Sequence, residues 1–191
     1  MIFYETERLI LRNYKQDDID DLFAYMSSDY TALHEDFDPY NRDDCEKAID
    51  KWYQNDYYWT VELKSENKLI GSLNYSEEDY ETYEIGYDFN ESYTGYGYAT
   101  ESCKILLYHI FTINHGRRVI AGCNEENVNS YRLLERLGFR REGLFREDVS
   151  FKSDKEGNPI YVNSYYYGML KREWDLLSVS AKSVTHKRGI I

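Results

Sequence analysis

The chain has 191 residues, of which 42% are hydrophobic and 30% are charged, and its formal net charge is −12. This length and balance predict one globular domain rather than a disordered chain. The acidic surplus disfavours binding to nucleic acid, because the phosphates would be repelled. No apolar run approaches the roughly 20 residues that cross a bilayer, and the first residues lack the layout of a signal peptide. We therefore expect a cytoplasmic protein without membrane contact.

The three cysteines are far apart and form no Cys-x-x-Cys motif, and the four histidines share no spacing typical of metal ligands. Disulfide frameworks and zinc sites depend on such spacings. We expect neither a disulfide nor a bound metal, and a reducing compartment.

The first half of the chain predicts a strand, two helices and three further strands. The helical spacing of Ile19, Leu22 and Met26 indicates the first helix, and the polar turn Ser65-Glu66-Asn67 separates two strands. The predicted elements are a strand over 8–14, a helix from Asp17 or Asp18, a loop over 29–41, a helix over about 43–55, and strands over 58–63, 68–75 and 81–89.

The second half alternates helices and strands and ends in a hairpin. Gly138 is the expected C-terminal glycine of its second helix. The predicted elements are a helix over 99–113, a strand over 117–123, a helix over 128–137 and hairpin strands over 143–152 and 159–169. A strand, crossover helix and strand within 81–123 imply one parallel pairing in an otherwise antiparallel sheet. The prediction is a mixed α/β fold, with one domain over 1–178 and a frayed tail over 179–191.

The segment ESYTGYGYATES, residues 91–102, joins a predicted strand to a predicted helix. The first amides of a helix lack partners and face the positive end of its dipole, so this segment is a candidate phosphate loop. A Walker-type P-loop does not fit, because no lysine follows the glycines until Lys104. The dinucleotide fingerprint fits poorly, because Thr100 occupies its third glycine position in mid-chain.

Four segments resemble the GNAT acetyltransferase superfamily, and within it the ribosomal-protein-serine/alanine N-acetyltransferase-like branch. They are TERLILR (6–12), EIGYDFNESYTGYGYATES (84–102), NEENVNSYRLLERLGFRREG (124–143) and YGMLKREW (167–174). The resemblance implies a mainly antiparallel sheet of about seven strands with helices on both faces. It also implies acetyl-CoA as donor, an amine as acceptor, no metal, and a monomer or homodimer.

The resemblance also assigns a cofactor site. The family's pyrophosphate loop reads Gln/Arg-x-x-Gly-x-Gly/Ala, and residues 94–99 fill it except that Thr94 replaces the first Gln or Arg. The cofactor-binding residues implied are Tyr87, Phe89, Thr94, Gly95, Tyr96, Gly97, Tyr98, Ala99, Thr100, Asn127, Ser130 and Arg136. Asn127 is also expected to cap the helix that follows it.

Acetyl transfer to an amine requires removal of a proton from the amine, a donor for the oxyanion and a group that stabilises or protonates the leaving thiolate. Glu84 is the first candidate for the base, Glu147 and Asp148 are alternatives, and an enzyme without a dedicated base is the remaining alternative. Ser130 is the candidate for the thiolate, and a backbone N–H of the strand ending near Phe89 for the oxyanion. The prediction is an N-acetyltransferase working by direct attack in a ternary complex. The alternative is a non-catalytic acyl-CoA-binding or regulatory module on the same fold.

The sequence leaves the acceptor open among a protein N-terminus, a polyamine, an aminoglycoside and another small amine. The 29–41 loop and the tyrosine-rich final hairpin are the expected recognition elements. Acidic residues of that loop offer a rim suited to a cation; they are Asp29, Glu35, Asp36 and Asp38.

Overall fold

Eight strands form a single sheet in a computed structural model that describes residues 1–35 and 37–178. The strands are β1 (Ile2–Glu5), β2 (Leu9–Arg12), β3 (Tyr58–Leu63), β4 (Lys68–Glu78), β5 (Thr82–Phe89), β6 (Arg118–Asn124), β7 (Arg140–Ser153) and β8 (Pro159–Leu170). Their order is β1-β2-β3-β4-β5-β6-β8-β7, and only β5 and β6 pair in parallel among these strands. The mixed fold with its single parallel pairing is confirmed, with eight strands in place of about seven.

Six α-helices accompany the sheet within the described residues. They are α1 (Ile19–Met26), α2 (Asp29–Ala32), α3 (Arg42–Trp52), α4 (Tyr98–Tyr108), α5 (Val128–Leu137) and α6 (Lys171–Ser178). The short helix α2 lies in the predicted loop, where the Ser28 hydroxyl caps it by accepting the Tyr30 N–H. The sequence did not predict α6 or β1. Asp36 and the predicted frayed tail, 179–191, lie outside the described residues.

Helices cover both faces of the sheet, as expected. Adjacent residues of β4 point to opposite faces, so Leu69 joins the buried cluster of α1 and α3, whereas Ile70 joins the larger cluster of α4 and α5. Two cores therefore hold the sheet between them.

Strands β5 and β6 separate after a short paired stretch. Only residues 82–84 of β5 pair with residues 118–120 of β6, although both strands continue beyond these pairs. The rest of β5 remains paired to β4 on its other side, and β6 to β8. A gap therefore opens between the second halves of the two central strands.

Helix α5 begins and ends as its local sequence predicts. The Asn127 side chain accepts the Ser130 N–H at 3.1 Å and caps α5, which ends at Gly138 with a φ of 96°. The helix predicted over 99–113 is α-helical as far as Tyr108, and its last turn, His109–Ile113, is π-helical.

Gly71 of β4 allows the end of β5 to pack closely, so we predict that Gly71→Ala destabilises the fold. A Cβ there would lie 2.4 Å from the Phe89 ring and 2.7 Å from the backbone carbonyl oxygen of Asp88. We expect the free energy of unfolding to fall by about 1–3 kcal/mol, measured by urea denaturation.

Gly122→Ala in β6 is the matched control. Its Cβ would meet nothing closer than the Tyr166 ring at 4.0 Å, so we expect a change within about 0.5 kcal/mol. Equal losses in the two variants would contradict the packing role of Gly71.

Candidate active site

The loop before α4 presents a row of unpaired backbone amides. Gly95 and Gly97 both adopt positive φ angles, 88° and 84°, in the left-handed region that glycine enters without a steric cost. Within the described residues the amides of 95–100 make no intramolecular hydrogen bond, and the Glu101 N–H is the first to bond back, to the Gly97 carbonyl at 3.0 Å. These amides and the positive end of the helix dipole favour a bound anion.

A cavity of about 620 Å³ extends from this loop to the gap between β5 and β6. Eleven of the twelve residues predicted to bind the cofactor line it: Tyr87, Phe89, Thr94, Gly95, Gly97, Tyr98, Ala99, Thr100, Asn127, Ser130 and Arg136. Tyr96 is the exception, because its side chain is 63% exposed and stacks on the Tyr98 ring. The structure thus brings together residues from one strand, one loop and two helices.

At one end of this cavity Arg136 of α5 donates a hydrogen bond to the Thr100 hydroxyl of α4 at 3.2 Å. Its guanidinium therefore lies beside the unpaired amides and adds a positive charge to the anion site.

At the gap, Tyr87 and Ser130 form a hydroxyl pair. The Tyr87 hydroxyl lies 2.9 Å from the Ser130 Oγ, and the Asn127 cap fixes the first turn of α5 on which Ser130 stands. Burial raises the pKa of Tyr87 well above its usual value, so its hydroxyl keeps its proton at neutral pH. The pair can donate a proton into the cavity.

A second cavity of about 280 Å³ meets the first at this gap. Six residues line both cavities: His34, Glu35, Tyr87, Asp88, Asn127 and Ser130. The lining of the second cavity includes the carboxylates of Glu35, Asp88 and Asp148 but no lysine or arginine from the described residues. It therefore suits a small cation.

The three predicted base candidates lie in different places. Asp148 lines the second cavity, and its Oδ2 is buried without a hydrogen-bond partner among the described residues. Glu147 is exposed, and its N–H donates to Asn163 Oδ1 at 2.8 Å. Glu84 lines neither of these two cavities and lies four residue steps along the strand, about 13 Å, from Asp88.

Asp88 and Glu35 are the two acidic residues of the described chain that line both cavities, and the sequence analysis did not select Asp88. Burial raises its pKa to about 6, and no hydrogen bond reaches its carboxylate from the described residues. The neighbouring Ser72, its partner on β4, is instead bonded to the hydroxyls of Tyr14 and Tyr25. The alternation of β5 placed Asp88 and Glu84 on one face but did not show where β6 diverges.

The end of β5 also offers backbone donors to the gap. The Asn90 N–H bonds to the Ile70 carbonyl at 3.0 Å, on the β4 side. Because successive amides of a strand point to opposite edges, the amides of Phe89 and Tyr87 face the other edge, where β6 has diverged. These two amides therefore point into the gap between the strands.

Within residues 1–35 and 37–178, no helix is long and apolar enough to span a membrane. The same residues contain no group of three or more His, Cys, Asp or Glu side chains arranged to hold a metal ion.

Comparisons with known proteins identify the fold and the family. The model of the acetyltransferase (GNAT) domain matches residues 8–140. The uncharacterized N-acetyltransferase YnaD of Bacillus subtilis is 31% identical over 172 residues, covering 89% of this chain and 98% of that protein. A ribosomal-protein-serine acetyltransferase of Escherichia coli is 31% identical over 97 residues, covering 50% of this chain and 54% of that protein.

The crystal structure of a GNAT-family acetyltransferase from Bacillus anthracis superposes with a TM-score of 0.79 at 31% identity, covering 90% of this chain and 99% of that one. A ribosomal-protein-S5-alanine acetyltransferase from Vibrio fischeri, at 18% identity and a TM-score of 0.73, shares the fold over 91% of this chain and 99% of that one. The chain therefore belongs to the GNAT acetyltransferase family and is an N-acetyltransferase.

Proposed function

We propose that the protein transfers the acetyl group of acetyl-CoA to a primary amine by direct attack in a ternary complex. The observation that carries this proposal is the meeting of two cavities at Tyr87, Asp88 and Ser130. One cavity begins at an anion-binding loop, and the other is lined by carboxylates. A donor and an acceptor held in these cavities would meet where the acid and base candidates lie.

The first cavity fits the donor. Unpaired amides of residues 95–100 and the Arg136 guanidinium suit the diphosphate of coenzyme A. The cavity continues past Asn127 to the hydroxyl pair of Tyr87 and Ser130, where we place the thioester. Thr94, which replaces the family's Gln or Arg, contributes no charge to this loop.

The second cavity fits an amine acceptor. An ammonium group that enters it meets only acidic charges. The Tyr166 hydroxyl lies close enough to interact with the Asp148 carboxylate, but the buried Oδ2 of Asp148 forms no hydrogen bond within the described residues. Buried polar atoms in native proteins almost always have partners, so this oxygen supports a cationic ligand. A cavity of about 280 Å³ has room for an amine and part of its carbon skeleton.

We assign Asp88 the role of base and keep Glu84 as the alternative. With a pKa of about 6, the Asp88 carboxylate is ionised at neutral pH and accepts a proton more readily than an ordinary aspartate. Ser130, with its hydroxyl against that of Tyr87, would donate a hydrogen bond to the leaving thiolate, and the proton that Asp88 takes from the amine balances the charge of that thiolate. The amides of Tyr87 and Phe89 would hold the oxyanion.

Acetyl-CoA binding is the first test. At 100 times its dissociation constant, acetyl-CoA should add about 2.7 kcal/mol to the stability of the wild type, seen as a rise in Tm. Gly97→Trp should abolish this rise, because its side chain would fill the anion site. Gly157→Trp is the matched control, with a similar φ of 87° in the distant hairpin turn, and should retain it. If saturating acetyl-CoA does not change the Tm of the wild type, the proposed donor is refuted.

The hydroxyl pair should act as a unit in catalysis. Ser130→Ala and Tyr87→Phe should each lower kcat about 10²-fold, and the double variant should be little slower than either one. Thiol release with an acceptor taken from an amine screen measures kcat. Tyr57→Phe, a hydroxyl removed outside both cavities, is the control. Losses that multiply in the double variant would show two independent roles.

Asp88 should control the pH dependence of activity. We expect kcat/KM to rise with pH to a plateau above about 6, and this rise should disappear in Asp88→Asn. If the rise instead disappears in Glu84→Gln and persists in Asp88→Asn, Glu84 is the base.

The Asp88→Asn variant should be more stable than the wild type at neutral pH. The folded-state pKa of Asp88, about 6, lies above the value of about 3.9 in an unfolded chain, so the folded state binds the proton more strongly. Stability due to this group is therefore present at low pH and is lost between about 4 and about 6. The gain in Asp88→Asn should develop across that window, to at most about 3 kcal/mol, in denaturation series at several pH values. A gain that does not vary with pH would contradict the raised pKa.

A further inference from the structure

Arg8 reaches from the start of β2 to the loop before α4. Its Nη1 donates to the Tyr96 carbonyl oxygen at 3.0 Å, and its Nε and Nη2 donate to Glu101 Oε2 at 2.9 Å and 2.5 Å. Its guanidinium carbon also lies 4.5 Å from the centre of the Tyr98 ring. One side chain thus holds the loop and the first turn of α4 together.

The backbone of Arg8 is itself fixed to the sheet. Its N–H donates to the Thr6 hydroxyl at 3.1 Å, and its carbonyl accepts the Lys64 N–H at 3.0 Å, beyond the end of β3. The contact with the loop therefore starts from a rigid point, although the Arg8 side chain is 43% exposed.

The bond to the Tyr96 carbonyl determines where the next amide points. In a planar trans peptide the C=O and the following N–H point in opposite directions. Because the Tyr96 carbonyl is turned toward Arg8, the Gly97 N–H is turned away from it, and Gly97 lines the large cavity. Arg8 thereby determines that the N–H of this peptide, and not its C=O, faces the anion site.

This selection is needed because glycine would allow the peptide to flip. Rotation of the Tyr96–Gly97 peptide reverses the sign of φ at Gly97, which glycine tolerates in either sense. A flipped peptide would present a carbonyl oxygen, and hence a partial negative charge, to the anion. The loop, Thr94-Gly95-Tyr96-Gly97-Tyr98-Ala99, contains no cation of its own to offset this.

Arg8 also neutralises Glu101. That carboxylate stands in the first turn of α4, next to the amides that would bind the anion. An unpaired carboxylate there would repel a bound phosphate group, whereas the ion pair with Arg8 cancels its charge.

We propose that Arg8 is a positioning residue of the anion-binding loop, which holds the Tyr96–Gly97 peptide with its N–H toward the cavity. The inference rests on the proposed binding of acetyl-CoA. Arg8 acts through the loop rather than by touching the donor. Its removal should therefore weaken the binding of ligands that contain the diphosphate and leave the binding of ligands without it unchanged.

The test compares three ligands in Arg8→Ala, Arg8→Lys and the wild type by calorimetry and ligand-detected NMR. Arg8→Ala should weaken acetyl-CoA about tenfold, about 1.4 kcal/mol, and should weaken its 3′-dephospho form by the same factor. Acetyl-pantetheine, which lacks the diphosphate, should bind Arg8→Ala and the wild type with equal affinity. Arg8→Lys should recover part of the loss, because lysine can reach one of the two acceptors but not both. Arg42→Ala, which removes an exposed arginine paired with Asp20, should behave as the wild type.

A second readout needs no ligand. The Gly97 amide resonance should shift or broaden in Arg8→Ala and return toward the wild-type position in Arg8→Lys. Unchanged affinities in Arg8→Ala would overturn the proposal. A loss for acetyl-CoA but not for the dephospho form would also overturn it, in favour of a direct contact with the 3′-phosphate. A wild type that binds neither nucleotide would refute the proposed donor itself, which separates that failure from a failure of the Arg8 inference.

Discussion

The divergence of β5 from β6 is the constraint on which the rest of the site depends. Three residue pairs join these strands at one end, and beyond them each strand keeps only its outer neighbour. A sheet that remained paired would satisfy the amides of Tyr87 and Phe89 and leave no space between the strands. The divergence frees these amides, opens both cavities and lets the first turn of α5 place Ser130 against β5.

The chemistry of the two cavities differs because different backbone elements supply it. The donor side takes its positive potential from helix amides and one arginine, which need no acidic or basic motif in the loop itself. The proposed acceptor side takes its negative potential from acidic residues on β5, on β7 and in the segment after α2, and those on β5 and after α2 also line the donor cavity. An overall charge of −12 therefore coexists with an anion site, because the local field is set by oriented amides rather than by net charge.

Local sequence signals predicted the features that depend on local chemistry. The Asn127 cap, the Gly138 terminus and the glycines before α4 were predictable, because capping and positive φ angles involve residues close in the chain. The importance of Asp88 was not predictable in this way. The alternation of side chains along β5 shows which face of the sheet Asp88 occupies. Its raised pKa, however, depends on where β6 leaves β5 and on how the surrounding elements bury the carboxylate. Strand β1, only four residues long, is likewise defined by its pairing with β2.

The Asn127 cap links the assembly of the molecule to its readiness for chemistry. The same amide oxygen that starts α5 holds the backbone of Ser130, whose hydroxyl then meets Tyr87. If the first turn of α5 frays, the contact between the Ser130 and Tyr87 hydroxyls is lost in the same event. The stability of one helix end therefore sets the fraction of molecules in which this hydroxyl pair is assembled.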